Sequence, residues 1–278
     1  QRNVLRREDE NDWHTAEDIR LLAQLAALFH DFGKANHAFQ TKLTSKTPIA
    51  DAYRHEWVSL RLFESFARQC GTDDRDWLTR LTDLPETARD TCLGGLSSDG
   101  LQRLKVAGPP FRNLPPLAQI VGWLIVTHHR LPAPTPDTQL NQRLLEKMLE
   151  QIGAAWCGSR PDEASAKDCW KFKNGLPFDS HHWRQHAAKV AQAILQRPRL
   201  NDPGEASKLL DSPYVLHLSR MALMLADHHY SAQPSHPRYG DKPGKKGAVL
   251  YANTGIKDGK RELKQRLDEH LIGVEVSA

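Results

Sequence analysis

Apolar residues recur at helical spacing through most of the sequence, whereas the alternation typical of strands is almost absent. In residues 16–31 the apolar side chains form one broad face, with Thr15 as a suitable N-cap and Gly33 as a stop signal. Further helices are predicted at 53–69, 117–130, 141–153, 180–195, 211–231 and 261–273, and the stretch 247–254 is the single strand candidate. The pattern therefore predicts an all-α fold, a helical bundle.

Length and composition are typical of one globular domain. The 278 residues are 39% hydrophobic and 26% charged, and no apolar run reaches the roughly 20 residues that a membrane-spanning helix needs. We expect residues 1–278 to form a single cytoplasmic domain without membrane contact. Because the first residue is glutamine rather than methionine, we also expect this sequence to be a fragment of a longer multidomain chain.

Histidine and aspartate are concentrated at the ends of the most apolar predicted helices. They are His30 and Asp31, His55, His128 and His129, and Asp227. Buried helices whose polar residues lie at their ends can converge on one pocket, and imidazole with carboxylate suits Mn, Fe, Co, Ni or Zn better than Ca or Mg. Each element alone is more often a helix cap or a partner of the helix dipole. Their repetition at successive helix ends favours a metal site.

Asp31 has a special position among these residues. Adjacent side chains on a regular helix point about 100° apart, so His30 and Asp31 can serve one metal together only where the helix end relaxes, as at Gly33. A carboxylate there can also bridge two metals about 3.5–4 Å apart, as two-metal phosphoester hydrolysis requires. His228 and His229 compete with Asp227 for a ligand role, and we prefer Asp227 because it directly follows the apolar face.

A basic segment lies near the C-terminus. Residues 236–266 contain nine Lys or Arg against three acids, although the formal net charge of the whole chain is only +4. Such a glycine-bearing segment suits phosphate backbones, and a solvated surface loop is an equally good interpretation. The candidate nucleic-acid-binding residues are Lys242, Lys245, Lys246, Lys257, Lys260 and Arg261.

Four short motifs resemble the HD-superfamily nuclease domain of the type I CRISPR interference helicase-nuclease. They are HDFGK (30–34), RHEW (54–57), THHRLP (127–132) and ADHHYS (226–231). The later LYANTG and LDEHLIGV are similar to the type I-F form, in which this domain lies between an integration-protein domain and a helicase. The resemblance extends from about Thr15 to Val274. It implies an all-helical HD domain with a metal site at converging helix ends.

The resemblance also implies an activity, a ligand set and partners. The activity is cleavage of single-stranded DNA by water that two divalent transition metals activate, with Mn, Fe, Co or Ni expected before Mg. The partners are the helicase domain of the same chain, a guide-RNA surveillance complex and CRISPR integration proteins. His30, Asp31 and Asp227 would hold the first metal. Asp31 would also bridge to a second metal, held by His55, His128 and His129. Lys34 would contact the scissile phosphate, and Ser231 would support the ligands.

The sequence departs from the family pattern at one ligand. Related domains carry a histidine upstream of the His-Asp pair, and the only candidate here is His14. A continuous helix would place His14 about 24 Å from His30, so we expect the first metal to lack this ligand, to take water instead, or to use a residue outside the sequence. Two other functions remain open, an HD-type nucleotide or cyclic-dinucleotide phosphohydrolase and a non-catalytic metal-stabilised docking scaffold.

Overall fold

The computed structural model describes residues 15–47, 49–101, 109–111, 113–133, 149–158, 162–234, 239–241 and 249–278. Its helices are α1 (Thr15–Phe29), α2 (His37–Thr44), α3 (His55–Cys70), α4 (Asp74–Thr82), α5 (Ala88–Gly94), α6 (Pro116–Thr127), α7 (Ala154–Cys157), α8 (Glu163–Cys169), α9 (His181–Leu195), α10 (Pro198–Asn201), α11 (Pro203–Leu210), α12 (Pro213–Ala232) and α13 (Leu267–Ser277). Short 3-10 turns occupy Phe32–Ala35 and Pro177–Asp179, and the strands are β1 (Thr254–Lys257) and β2 (Lys260–Leu263). No helix in these ranges is long and apolar enough to cross a bilayer.

The predicted helical fold is confirmed, and local capping explains where two of the helices begin. Ser180 accepts a hydrogen bond from the Trp183 backbone N–H at the start of α9. Ser212 does the same for Val215 at the start of α12, where Pro213 fills the first turn without losing a backbone bond. The helix predicted at 141–153 lies mostly outside the described residues, as does His14.

The helix predicted at 261–273 is wrong at its start. Its first residues form β2, which pairs antiparallel with β1 in a hairpin, and α13 begins only at Leu267. The two turn residues, Asp258 and Gly259, have φ values of 50° and 72°. Asp-Gly with positive φ at both positions is the two-residue turn that fits the twist of a hairpin. This turn signal outweighs the weak helical spacing of the residues after it. The first strand, β1, begins at Thr254, where the 247–254 strand candidate ends.

Helix α1 lies at the centre of the molecule, packed against α6, α9, α12 and α13. All residues from Leu25 to Phe29 are buried. The indole N–H of Trp183 donates to the Leu28 carbonyl at 2.9 Å and fixes the last turn of α1 from the α9 side. The residues that follow α1 therefore begin inside the core, where any polar side chain must find a partner.

Candidate metal centre

The backbone after α1 brings Asp31 beside the first turn of α3. Gly33, in the 3-10 turn, packs so closely on α3 that a Cβ at this position would lie 2.1 Å from the His55 carbonyl oxygen. Its backbone N–H also donates to the Ser59 hydroxyl at 2.7 Å. Glycine is required here because of this close approach. The contact sets the separation between Asp31 and His55.

The first set of converging side chains, here called the inner group, consists of His30, Asp31, Asp227 and His270, all of them buried. His270 Nε2 lies 2.9 Å from Asp31 Oδ2 and 3.3 Å from Asp227 Oδ1. His30 Nε2 lies 3.2 Å from the same Asp31 oxygen and 3.8 Å from Asp227 Oδ1. Two carboxylates and two imidazoles thus surround one small space.

His270 is the residue that sequence reasoning missed. No histidine upstream of the His-Asp pair is needed to fill this position, because α13, near the end of the chain, places His270 in the inner group. A signal was present in the sequence. His270 lies on the same helical face as Leu267 and Val274, so a lone histidine interrupts an apolar stripe.

The second set, here called the outer group, consists of His55, His128 and His129. The ring centroid of His55 is 6.0 Å from that of His128 and 5.5 Å from that of His129. His128 is fully buried, whereas His129 is partly exposed at the mouth of the site. The predicted helix-end residues of α3 and α6 therefore meet, as the sequence pattern indicated.

Asp31 connects the two groups. Its Oδ2 faces His270 and His30, while its Oδ1 lies 3.0 Å from His55 Nε2. Despite that short distance, neither Asp31 Oδ1 nor His55 Nε2 forms a hydrogen bond among the described residues. The two atoms thus lie close together without a hydrogen bond between them, and a cation next to both would satisfy them.

The ring orientations of the buried histidines fit metal binding. Nδ1 of His30 donates to the Ala27 carbonyl at 2.7 Å, and Nδ1 of His128 donates to the Ile125 carbonyl at 2.7 Å. These bonds leave the lone pair on Nε2, and the buried Nε2 of both residues has no hydrogen-bond partner in the described part of the chain. Buried polar atoms without partners are costly, and a divalent metal ion would satisfy them.

Two further polar residues lie next to the residues of the two groups. Glu56 is buried, its Oε2 lies 3.3 Å from His55 Nδ1, and the guanidinium of Arg54 donates to its Oε1. Burial raises the pKa of Glu56, but His55 and Arg54 outweigh burial and hold it well below its usual range. The Ser231 hydroxyl donates to Asp227 Oδ1 at 3.2 Å, and its role in supporting a ligand stays a prediction.

Without a metal, protons and ion pairs balance the charges of the inner group. Burial lowers the pKa of His30, but the carboxylates of Asp31 and Asp227 outweigh burial and raise this pKa to about 10. Burial raises the pKa of Asp31 and of Asp227, but the neighbouring histidines hold both pKa values well below the usual range. Burial and the nearby His30 lower the pKa of His128, so this ring is neutral. A divalent cation would replace the proton on His30.

Two further side chains reach the centre from its edges. Lys34 Nζ lies 2.7 Å from Asp31 Oδ2 and lines an open cavity together with His55. His228 is exposed and lies beside His129, with ring centroids 6.5 Å apart, and these two residues form with Asp227 a third group that could hold a metal ion. The preference for Asp227 over the histidines that follow it stays a prediction.

The candidate nucleic-acid-binding residues fall into two sets. Lys257, Lys260 and Arg261 are exposed on the β1–β2 hairpin. The other three, Lys242, Lys245 and Lys246, lie outside the described residues. Their binding role stays a prediction.

Comparison with known proteins identifies the family of this chain. A family model described as "Cas3, HD domain" matches residues 1–233. The chain is 53% identical over 277 residues to the CRISPR-associated nuclease/helicase Cas3 subtype I-F/YPEST of Pseudomonas aeruginosa strain UCBPP-PA14, and 42% identical over 288 positions to the protein of the same description from Pectobacterium atrosepticum strain SCRI 1043. Both alignments cover 98% of the chain but only 24% and 25% of the relatives. The chain thus spans about a quarter of each relative's length.

Proposed function

The chain belongs to the Cas3 HD-domain family, and on that basis we propose that it is a metal-dependent phosphodiesterase domain that cleaves single-stranded DNA during type I CRISPR interference. The observation that carries this proposal is the position of Asp31, with one oxygen in each ligand group. A carboxylate shared in this way suits two metals that together stabilise the attacking and leaving oxygens of a phosphodiester.

In this proposal His30, Asp31, Asp227 and His270 hold the first metal. His55, His128 and His129, with the second oxygen of Asp31, hold the other. We expect Mn, Fe, Co or Ni rather than Mg, because five of the seven ligands are imidazoles and Mg prefers oxygen. Metals bound there would supply Lewis acidity toward the phosphate and would activate a water nucleophile.

The chain's own residues position the reaction. The backbone carbonyls behind His30 and His128 fix the orientations of these two rings before substrate arrives, and the Glu56 carboxylate lies beside Nδ1 of His55. Lys34 now pairs with Asp31, but metals would take over that carboxylate and free the ammonium for the cavity beside it. There it would contact a scissile phosphate oxygen and offset charge that develops in the transition state.

We propose a polymer rather than a free nucleotide as substrate. A polymer can place several phosphates at once against the exposed side chains of Lys257, Lys260 and Arg261. Each such contact releases counterions, which strengthens binding. Residues 1–278 would form one HD domain that acts in the cytoplasm. Because both relatives are described as nuclease/helicase, this domain would adjoin a helicase domain in a longer chain. A guide-RNA surveillance complex and CRISPR integration proteins would be its partners.

The first experiment combines metal content with cleavage. The metal-stripped chain is reloaded with Mn, Fe, Co, Ni or Mg, its bound metal is measured by elemental analysis, and it is incubated with circular single-stranded DNA, duplex DNA, nucleotides and a cyclic dinucleotide. We expect two transition metals per chain, degradation of the single strand and little loss of duplex. Faster turnover of the free nucleotides than of DNA would favour a phosphohydrolase, and no turnover of any substrate would favour a scaffold.

Variants then test the ligand assignment. Asp31→Asn should lose both metals and all cleavage, whereas His270→Gln and His128→Gln should each lose one metal. His217→Gln, at an exposed histidine of α12 outside the site, is the matched control and should bind and cleave like the parent. Circular dichroism of each variant separates loss of a ligand from loss of the fold. Full metal content in folded His270→Gln would remove this residue from the ligand set.

A further inference from the structure

We propose that the cavity beside the outer group is a binding subsite for one unpaired nucleotide next to the scissile phosphate, with its base on Phe39 and its flanking phosphate at Lys42. This inference rests on the proposed function, since it specifies how that site would take a single strand. It assigns a role to two side chains of α2, Phe39 and Lys42, that the proposed function does not use.

The cavity has a suitable size and position. Its volume is about 540 Å³, within the range of sites that enclose small organic molecules. His55 and Lys34, which both contact Asp31, line the cavity together with Lys42 and Asp51. One wall is the segment 252–254, which leads directly into β1. A DNA strand in this cavity would therefore lie beside the start of the β1–β2 hairpin, which carries Lys257, Lys260 and Arg261.

Phe39 supplies the surface on which a base can stack. The ring is half-buried and lines the cavity, with its centroid 5.6 Å from that of His55 and 5.7 Å from Lys34 Nζ. Stacking of a base on an aromatic side chain contributes about 1–3 kcal/mol and tolerates any base. Only an unstacked base can reach this ring, so the same contact would favour single strands over duplex.

The ion pair at Lys42 leaves room for a phosphate to bind there. Lys42 pairs with Asp51 at 2.6 Å, and both side chains are about one-third exposed. An ion pair so exposed to water contributes little to stability. A phosphate can therefore compete with Asp51 for the Lys42 ammonium. Arg54 differs, because the buried Glu56 already orients it. Lys42 is therefore the cation expected to change partners on binding.

Binding without metal tests the subsite independently of catalysis. The Kd of a fluorescent oligothymidylate is measured by anisotropy in the presence of chelator for the parent, Phe39→Leu, Phe39→Trp and the control Phe172→Leu, a half-buried phenylalanine that does not line the cavity. We expect Phe39→Leu to raise Kd about 10-fold, Phe39→Trp to restore it and Phe172→Leu to leave it unchanged. Equal Kd values for the parent and Phe39→Leu would overturn the proposal.

The salt dependence of the same Kd tests the phosphate contact. Lys42→Gln should reduce the slope of log Kd against log salt by about 0.7, the value for one phosphate contact on a single strand. Lys189→Gln, at an exposed lysine of α9, should keep the parent slope. An unchanged slope in Lys42→Gln would refute its role.

Cleavage kinetics on a long and a short substrate distinguish the nucleotide subsite from the proposed nuclease function. With metals present, the ratio of kcat/KM for the oligonucleotide to that for bis(p-nitrophenyl) phosphate should fall about 10-fold in Phe39→Leu, because the small diester is too short to use the subsite. An equal loss on both substrates would mean that Phe39 only supports the metal centre. If the parent hydrolyses neither substrate, the proposed function fails, while the anisotropy result still decides the subsite.

Discussion

Replacing Gly33 with alanine should disable half of the metal centre through a single added carbon. The new Cβ would lie 2.1 Å from the His55 carbonyl oxygen and 2.9 Å from the Ser59 backbone nitrogen, both of them main-chain atoms of α3. Interior atoms are close-packed and cannot overlap, so the turn and α3 must separate by roughly 1 Å. No flexible side chain is available to absorb this shift.

The displacement would fall on the outer group. His55 starts α3 and faces Asp31 across the same contact, so its Nε2 would move away from Asp31 Oδ1. His30, Asp227 and His270 lie on the other side of Asp31 and do not depend on α3. We expect Gly33→Ala to keep the inner metal and lose the outer one, to cost about 1–3 kcal/mol of stability from overpacking and to slow cleavage about 100-fold.

The assay is metal stoichiometry by elemental analysis, followed by single-stranded DNA cleavage and denaturant unfolding of the same sample. Gly94→Ala is the matched control, since a Cβ at the end of α5 meets no atom within 4 Å. That variant should bind two metals and cleave like the parent. If Gly33→Ala also retained both metals and the parent rate, the argument that this contact sets the position of His55 would be refuted.

Three further perturbations follow from the same structure. Glu56→Gln should weaken binding at the outer group about 10–100-fold in metal titrations, because the carboxylate facing His55 Nδ1 loses its charge, while Glu163→Gln on the surface should change nothing. Trp183→Ala should lower the free energy of unfolding by about 3–5 kcal/mol in urea, since it empties a fully buried site and removes the bond to Leu28; a loss below 1 kcal/mol would contradict this packing. Adding Mn at 100 times its Kd should raise unfolding stability in the parent by about 2.7 kcal/mol for each metal bound and should not raise it in Asp31→Asn, and an equal gain in both would place the metal elsewhere.

Much of the fold was predictable because the helices are amphipathic or apolar throughout and have clear end signals. The position of His30 and Asp31 could be inferred for a related reason. A helix that is apolar almost to its last residue must be buried, so polar groups directly after it lie at the edge of the core. The hairpin was predictable in principle from Asp258-Gly259, but the helical spacing that follows gave a competing signal.

The parts of the site that escaped prediction depend on tertiary contacts. Nothing near Gly33 in the sequence shows that α3 packs against it, so glycine was interpreted only as a helix stop. Glu56 looks like an ordinary acid in the first turn of a helix, and only burial against His55 gives it a role. Phe39 likewise lies on a short polar helix, and its proximity to His55 comes from the turn that Gly33 permits.

His270 shows most clearly how the fold completes the inner group. It meets Asp31 across 239 positions of sequence, so a metal held by both would connect α13 to the end of α1, and through Asp227 also to α12. Ordering such distant segments has an entropic cost that metal binding can offset only when all three helices are in place. Metal binding at the inner group should therefore be coupled to global folding. Binding at the outer group, whose ligands come from α3 and the end of α6, should respond to local movements such as the one expected for Gly33→Ala.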